Sequence, residues 1–379
     1  MAGMRILISA GEASGDQYAA QLVAALRRRL DGVEFFGCAG PQLRAAGVEP
    51  IVEAERLAVV GLVEVVRHIP RIYGELRKIT AAARTRRPEL AILTDSPDFH
   101  LRLARKLHRL GIPVVYLIAP QAWAWRQWRV RLMARVITRL LCIFPFEEAF
   151  FRAHQVPATY IGHPSRPAAS LPKEEFFRKH RLAADRPLIA VLPGSRRGEA
   201  VRHLPALLDA VRQLNSWRAM TFLVAASSTT GRAFFLERVA GSGVQVVEGE
   251  TWDTLAHADL ALVASGTATV EAALLGAPMV TFYRVHPATW MLGRRLVKVP
   301  FLSMVNLLAG RRIVPELMQG DCTGAKLAVE ARALLEAPAR TGQMRRDLAE
   351  VRQKLEAGEA AMERAAAVVE EVLAQRRSS

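Results

Sequence analysis

Asp259-Leu-Ala-Leu-Val-Ala-Ser-Gly-Thr-Ala-Thr-Val-Glu-Ala-Ala-Leu-Leu-Gly-Ala-Pro-Met-Val-Thr281 is the stretch that decides the fold. It begins with an apolar run of strand length, Asp259 to Ala264, which stops at three small residues, Ser265, Gly266 and Thr267. A helical pattern follows, with Glu271 one turn inside it, and a second apolar run starts at Pro278. Strands that are apolar throughout, separated by a helix, belong to a parallel sheet covered on both faces. The turn also carries chemistry. The first N–H groups of a helix have no partner within it, and the helix dipole favours an anion there. Ser265, Gly266 and Thr267 therefore form a phosphate site, and Glu271 can accept hydrogen bonds from a sugar hydroxyl. Together they point to a nucleotide or a nucleotide sugar.

The same alternation runs outward in both directions. Residues 5–10, 33–37, 90–94, 114–118 and 140–143 read as strands in the first half, with helices expected at 17–30 and 99–110. Residues 188–192, 221–225, 244–247, 260–263 and 278–281 repeat the scheme in the second. Two such series predict an α/β chain of two doubly wound, Rossmann-like domains facing across a cleft, with ligand at the C-terminal ends of both sheets. His163-Pro-Ser-Arg-Pro-Ala-Ala-Ser-Leu-Pro172 reads as the linker, giving domains 1–165 and 173–345. From about Leu327 the chain is helical and rich in Ala, Glu and Arg, and helix 350–379 is expected to pack back on the first domain.

Among 379 residues, 52 basic side chains outnumber 36 acidic ones, a net charge of +16. A field of that sign attracts nucleic acid, anionic lipid headgroups or phosphorylated substrates without choosing between them. The three cysteines, Cys38, Cys142 and Cys322, are scattered and form no CxxC, which argues for reduced thiols in the cytoplasm and against a metal site. The first apolar run is too short for a signal peptide, and no stretch reaches the ~18 apolar residues of a membrane span. Membrane contact is therefore expected to be peripheral.

Gly11-Glu-Ala-Ser-Gly-Asp16 joins the first strand to the first helix. It is not GxGxxG, and Glu12 would repel a pyrophosphate, so NAD binding is disfavoured. Glu12, Ser14 and Asp16 exceed what a helix cap needs, although an ordinary capped turn is the plainer alternative. In Thr94-Asp-Ser-Pro-Asp-Phe-His100, Asp95 and Asp98 lie at the same end of the sheet. Asp98 suits either a general base or a cap for the next helix. Leu192-Pro-Gly-Ser-Arg196 follows a strand; Gly194 and Ser195 resemble a backbone nest for phosphate, with Arg196 to neutralise a diphosphate. The Lys-Ser/Thr ending of a Walker A loop is absent, and a surface turn is the alternative.

Ala119-Pro-Gln-Ala-Trp-Ala-Trp-Arg-Gln-Trp-Arg129 puts Trp123, Trp125 and Trp128 beside Arg126 and Arg129. Such a cluster stacks bases, holds an amphiphile at a membrane surface, or packs in a core. Residues 57–79 are strongly apolar but carry Arg67 and Arg71, and with Val66 they read either as a lipid-interface helix or as a buried one. Residues 291–302 form a second apolar and basic segment. The nine histidines show no metal spacing, and a lone one such as His163 is more often structural.

In this order, and joined by Asn306-Leu-Leu-Ala-Gly-Arg311 with Glu316, these motifs closely resemble the lipid-A-disaccharide synthases over nearly the whole chain. That family consists of inverting glycosyltransferases of the GT-B architecture. The resemblance implies transfer of 2,3-diacylglucosamine from UDP to 2,3-diacylglucosamine 1-phosphate (lipid X). The products would be a β-1,6-linked disaccharide 1-phosphate and UDP, in lipid A biosynthesis. It further implies Asp98 as base on the acceptor 6-hydroxyl, with Glu12, Ser14 and Asp16 on the acceptor side. Gly194, Ser195, Arg196, Ser265, Gly266, Thr267, Glu271, Asn306 and Glu316 would hold the donor. Trp123, Trp125, Arg126, Val66, Arg67 and Arg71 would meet the acceptor or the membrane. No cofactor or metal is expected, nor nucleic acid; the expected partners are the two lipid substrates and an anionic surface on the inner face of the inner membrane, with a homodimer left open. Two positions depart from the family pattern: His100 stands where Asn is usual, and Arg166-Pro167 where an Asp is usual. Another UDP-sugar GT-B enzyme, such as the transferase acting on lipid-linked muramyl peptide or a UDP-GlcNAc 2-epimerase, and a nucleic-acid binder are the alternatives.

Overall fold

The computed structural model describes residues 3–57, 62–124, 127–227, 230–286, 290–291, 299–356 and 360–378, and of residues 62–69 the backbone alone. It divides into two compact units, Met1–Pro164 with Leu355–Ser379, and Ser165–Lys354.

The first unit contains β1 (Arg5–Ala10), α1 (Ala13–Arg27), β2 (Glu34–Ala39), α2 (Pro41–Ala45), β3 (Glu49–Glu53), α3 (Leu62–Arg86), β4 (Leu90–Thr94), α4 (Pro97–Arg109), β5 (Val114–Leu117), α5 (Trp128–Val136), β6 (Arg139–Cys142), α6 (Pro145–Ala153) and β7 (Ala158–Tyr160). Its seven strands are parallel, in the order β3-β2-β1-β4-β5-β6-β7. The central strands β4 and β5 are buried at every residue, which is why they read as continuous apolar runs. In register, Ser9 of β1 pairs with Leu93 of β4, and Leu93 with Tyr116 of β5.

The second unit contains α7 (Lys173–His180), β8 (Leu188–Leu192), α8 (Arg197–Trp217), β9 (Thr221–Ala226), α9 (Arg232–Val239), β10 (Gln245–Glu248), α10 (Thr251–His257), β11 (Leu260–Ala264), α11 (Thr267–Leu274), β12 (Met279–Tyr283), α12 (Met304–Ala309), β13 (Glu316–Met318), α13 (Gly324–Glu336) and α14 (Pro338–Leu355). Its parallel sheet runs β10-β9-β8-β11-β12-β13. Phe176 and Phe177 of α7 seal one part of its core against Leu188, Leu223 and Val247. The last helix, α15 (Ala361–Arg377), returns to the first unit, where Glu370 pairs with Arg29 at 2.8 Å and Glu363 with Arg28.

Three strands escape the sequence reading: β3, β7 and β13. All three are sheet edges, at three to five residues long, and they mix exposed or half-exposed positions with buried ones. An edge strand has one neighbour and is only partly covered, so its apolar run is broken. Helix α1 also starts at Ala13, earlier than the apolar pattern indicates, which puts Ser14, Gly15 and Asp16 in its first turn.

Candidate functional site

In the first unit the site forms where β1 and β4 end. The Asp95 carboxylate accepts the N–H of Gly11 at 2.9 Å and of Glu12 at 3.1 Å. Two glycines make that approach possible through their missing side chains. A Cβ on Gly15 would stand 1.7 Å from Asp95 Oδ2, and one on Gly11 would stand 2.6 Å from Ser96 Oγ. The approach also requires strain: Asp95 (φ 55°) and Ser96 (φ 36°) are both left-handed without being glycine. Each costs about 1 kcal/mol or more, which the surroundings must hold in place. Burial, helped by the charge of Glu12, pushes the Asp95 carboxyl up to about 7 against the lowering effect of its N–H donors. Glu12 and Ser14 sit exposed at the rim.

Asp16 faces elsewhere. Buried, it accepts the N–H groups of Gly40 at 2.8 Å, Gln42 at 2.7 Å and Leu43 at 3.3 Å, so it caps α2. The sequence expectation that it lines the acceptor side is therefore corrected: a carboxylate with three donors at a helix N-terminus is a structural anchor. Asp98, the expected base, is 70% exposed and ion-paired with the buried Arg129 of α5. It does not cap α4 either; the N-cap position is Ser96.

Behind Asp95 lies a buried polar group that the sequence reading missed. The Tyr116 hydroxyl donates to the Asp95 peptide oxygen at 2.5 Å, and His100 Nδ1 lies 3.0 Å from the same oxygen. His100 Nε2 lies 2.8 Å from Ser9 Oγ. Burial pushes the His100 imidazole down to about 4 and the Tyr116 hydroxyl well above its usual value, so both are neutral. In a sequence, Tyr116 looks like one more strand hydrophobe; the only signal was the unusual His100.

Trp123 is corrected from interface to core. It is 6% exposed, packs edge-on against Phe146 and donates to the fully buried Glu147 at 2.9 Å. Burial pushes Glu147 up to about 8, while the N–H groups of Ile143 and Phe144, each at 3.2 Å, also point to its carboxylate. Trp128, the third ring of the same cluster, is 66% exposed. Arg71 is exposed on α3; Val66 and Arg67 lie on the same helix, their side chains outside the described residues, as are Trp125 and Arg126 entirely.

In the second unit, β8 and β11 end in the two expected turns. Gly194 is left-handed (φ 117°), as a nest requires, and Ser195 and Arg196 are exposed beside it. Arg196 reaches Glu199 at 3.3 Å, and Glu199 also accepts from Tyr283 at 3.0 Å. Helix α11 begins at Thr267, with Gly266 and Thr267 exposed and Ser265 donating to Leu302 O at 3.0 Å. Glu271 accepts from Trp252 at 3.3 Å, and burial raises its carboxyl. Asn306 is fully buried with both ends of its amide engaged, giving to Glu316 at 2.7 Å and Val314 O at 3.0 Å while accepting from Ile313 N and Val314 N. Glu316 also accepts from Leu302 N at 3.1 Å and Ser303 N at 3.0 Å. Asn306 and Glu316 thus pin the loop that Ser265 touches; the amide of Asn306 has no capacity left for a ligand.

Among the described residues no three His, Cys, Asp or Glu gather as a metal site, and no helix is long and apolar enough to cross a membrane.

A family model described as lipid-A-disaccharide synthetase matches residues 6–372. The lipid-A-disaccharide synthase of Solibacter usitatus is 62% identical over 373 residues, 97% of either chain. Among solved structures, the UDP-GlcNAc 2-epimerase of Neisseria meningitidis bound to UDP-GlcNAc superposes with a TM-score of 0.65 at 12% identity, covering 98% of this chain and 100% of that one. The spinosyn rhamnosyltransferase in complex with thymidine diphosphate gives 0.63 at 15%, covering 97% and 99%. At these identities the two structures speak to the fold alone.

Proposed function

We propose a catalytic layout from one premise: this chain belongs to the lipid-A-disaccharide synthase family and is a glycosyltransferase of lipid A biosynthesis. The donor is UDP-2,3-diacylglucosamine and the acceptor lipid X. The acceptor 6-oxygen attacks the anomeric carbon, the carbon–oxygen bond to the diphosphate breaks, and UDP leaves with inversion. The hydroxyl proton passes to Asp95. The observation that carries this assignment is the Asp95 cradle: a buried carboxylate near neutrality, beside the exposed Glu12 and Ser14. A base poised near the working pH is the efficient one. Asp98, tied to Arg129, is a poorer candidate and serves to hold that arginine at the site's edge.

The diphosphate is assigned to the second unit, at the α11 N-terminus with Ser265, Gly266 and Thr267, and at Gly194 to Arg196. There helix dipole, N–H groups and one guanidinium offset the charge of the leaving group. Glu271 takes ribose hydroxyls. Exposed Trp128 and Arg71 support contact with an anionic membrane surface.

Mass spectrometry of products from the two substrates tests the reaction. Appearance of the disaccharide 1-phosphate with UDP is expected; turnover of unacylated UDP-GlcNAc in its place would overturn the substrate assignment.

A further inference from the structure

We propose that His100 and Tyr116 are positioning residues, a clamp on the Asp95 peptide oxygen that holds the left-handed Asp95–Ser96 turn and so aims the Asp95 carboxylate at Gly11 and Glu12. The proposal rests on the reading of Asp95 as the base.

Asp95 is held at two ends. Its carboxylate meets the N–H groups of the β1–α1 turn, and its peptide oxygen meets Tyr116 from β5 and His100 from α4. A carbonyl only accepts, so His100 carries its proton on Nδ1 and its Nε2 lone pair accepts from Ser9 on β1. Three elements of the sheet and its following helix therefore fix one peptide group. Two consecutive left-handed residues without glycine would relax if that oxygen lost its donors. Relaxation would swing the carboxylate away from Gly11, since backbone and side chain turn together.

The geometry also separates positioning from proton transfer. His100 Nδ1 lies 3.8 Å from Asp95 Oδ1, beyond hydrogen-bond reach, and is already engaged by the peptide oxygen. His100 is no relay for the Asp95 proton. Of the charged and titratable groups, Glu12 acts on Asp95 and His100 lies 3.8 Å from its carboxylate, while Asp95 in turn acts on Cys38 of β2 together with Asp16, and on Tyr116 of β5 together with Glu12, Asp98 and Arg129.

The test uses the histidine's own geometry. In His100→Asn the amide nitrogen takes the place of Nδ1 and keeps the bond to Asp95; in His100→Gln it takes the place of Nε2 and keeps only the bond to Ser9. Tyr116→Phe removes a single hydroxyl at constant ring volume. We expect His100→Asn to retain most of kcat. His100→Gln and Tyr116→Phe should lose about 10- to 100-fold in kcat, as small misplacements of a catalytic group do. Acceptor KM should stay near wild type, and the acid limb of the pH–rate profile should move. Thermal unfolding of each variant identifies any that fail to fold, in which case Tyr116→Phe decides. Asn and Gln variants that are folded and equally active, or a loss shared equally by kcat and KM with an unmoved pH limb, would overturn the clamp. Wild-type turnover in Asp95→Asn overturns the base reading by itself; an inactive Asp95→Asn beside fully active clamp variants overturns the clamp alone.

Discussion

The two units end their central strands in the same way and equip those ends differently. In the first, a carboxylate is pressed into a cradle of backbone N–H groups, with glycines at 11 and 15 giving way and residues 95 and 96 strained. In the second, the strand ends carry exposed hydroxyls, glycines and Arg196, while Asn306 and Glu316 form a polar network that holds the loop at Leu302 and Ser303. The contrast matches the chemistry that the proposed layout assigns to each unit. Taking a proton needs a group whose pKa is tuned by burial. Holding a diphosphate needs donors and a dipole, which work without titrating.

The largest expected break in this contrast is Asp95→Asn, which should lower kcat by about 10²- to 10⁴-fold, the usual worth of a general base. Asp98→Asn should cost far less, and a purified assay of both decides between the two carboxylates. Gly15→Ala comes next: a methyl 1.7 Å from Asp95 Oδ2 must push the carboxylate out of its cradle. It should cost about 100-fold in kcat, with a stability loss of about 1–3 kcal/mol from overpacking, read by denaturant unfolding. On the donor side, Asn306→Ala leaves the N–H groups of Ile313 and Val314 without their acceptor. A destabilisation of about 2–4 kcal/mol and a raised UDP-sugar KM are expected, since the loop at Ser265 loosens while the base is untouched.

Titration sharpens the comparison with a smaller signal. The folded Asp95 carboxyl is raised to about 7, so its protonated form is the one the fold favours. That contribution to stability is complete below the unfolded-state value, near 4, and is lost as pH rises through about 7. Activity runs oppositely, rising through the same range as the base deprotonates. The melting temperature of Asp95→Asn relative to wild type should therefore improve between pH 5 and pH 8; a constant gap would contradict the raised value. The smallest effect is none at all: EDTA should leave turnover unchanged if dipole, N–H groups and Arg196 stabilise the diphosphate.

Much of this was legible in the chain. The interior strands announced themselves as apolar runs because both of their faces are covered, and the turns at 11–16, 94–98, 192–196 and 265–267 fell at strand ends where a parallel sheet puts its ligands. Strands β3, β7 and β13 stayed hidden because edges are short and half-exposed. Within the site, spacing left Asp95 and Asp98 side by side. It also made Asp16 and Trp123 look functional, although one caps α2 and the other binds Glu147 in the core.

What the sequence determined alone is therefore the alternation of buried strands with helices, and the small, polar residues at their junctions, because hydrophobic periodicity and helix-start chemistry are local properties. What only the tertiary structure decided is which carboxylate is buried and which is paired. Asp95 and Asp98 differ by three positions, but one turns inward under Gly11 and the other outward to Arg129. That choice is made by a left-handed turn held from β5, α4 and β1. Desolvation and partner charge depend on neighbours distant in the chain, and those are assembled only when the sheet closes around them.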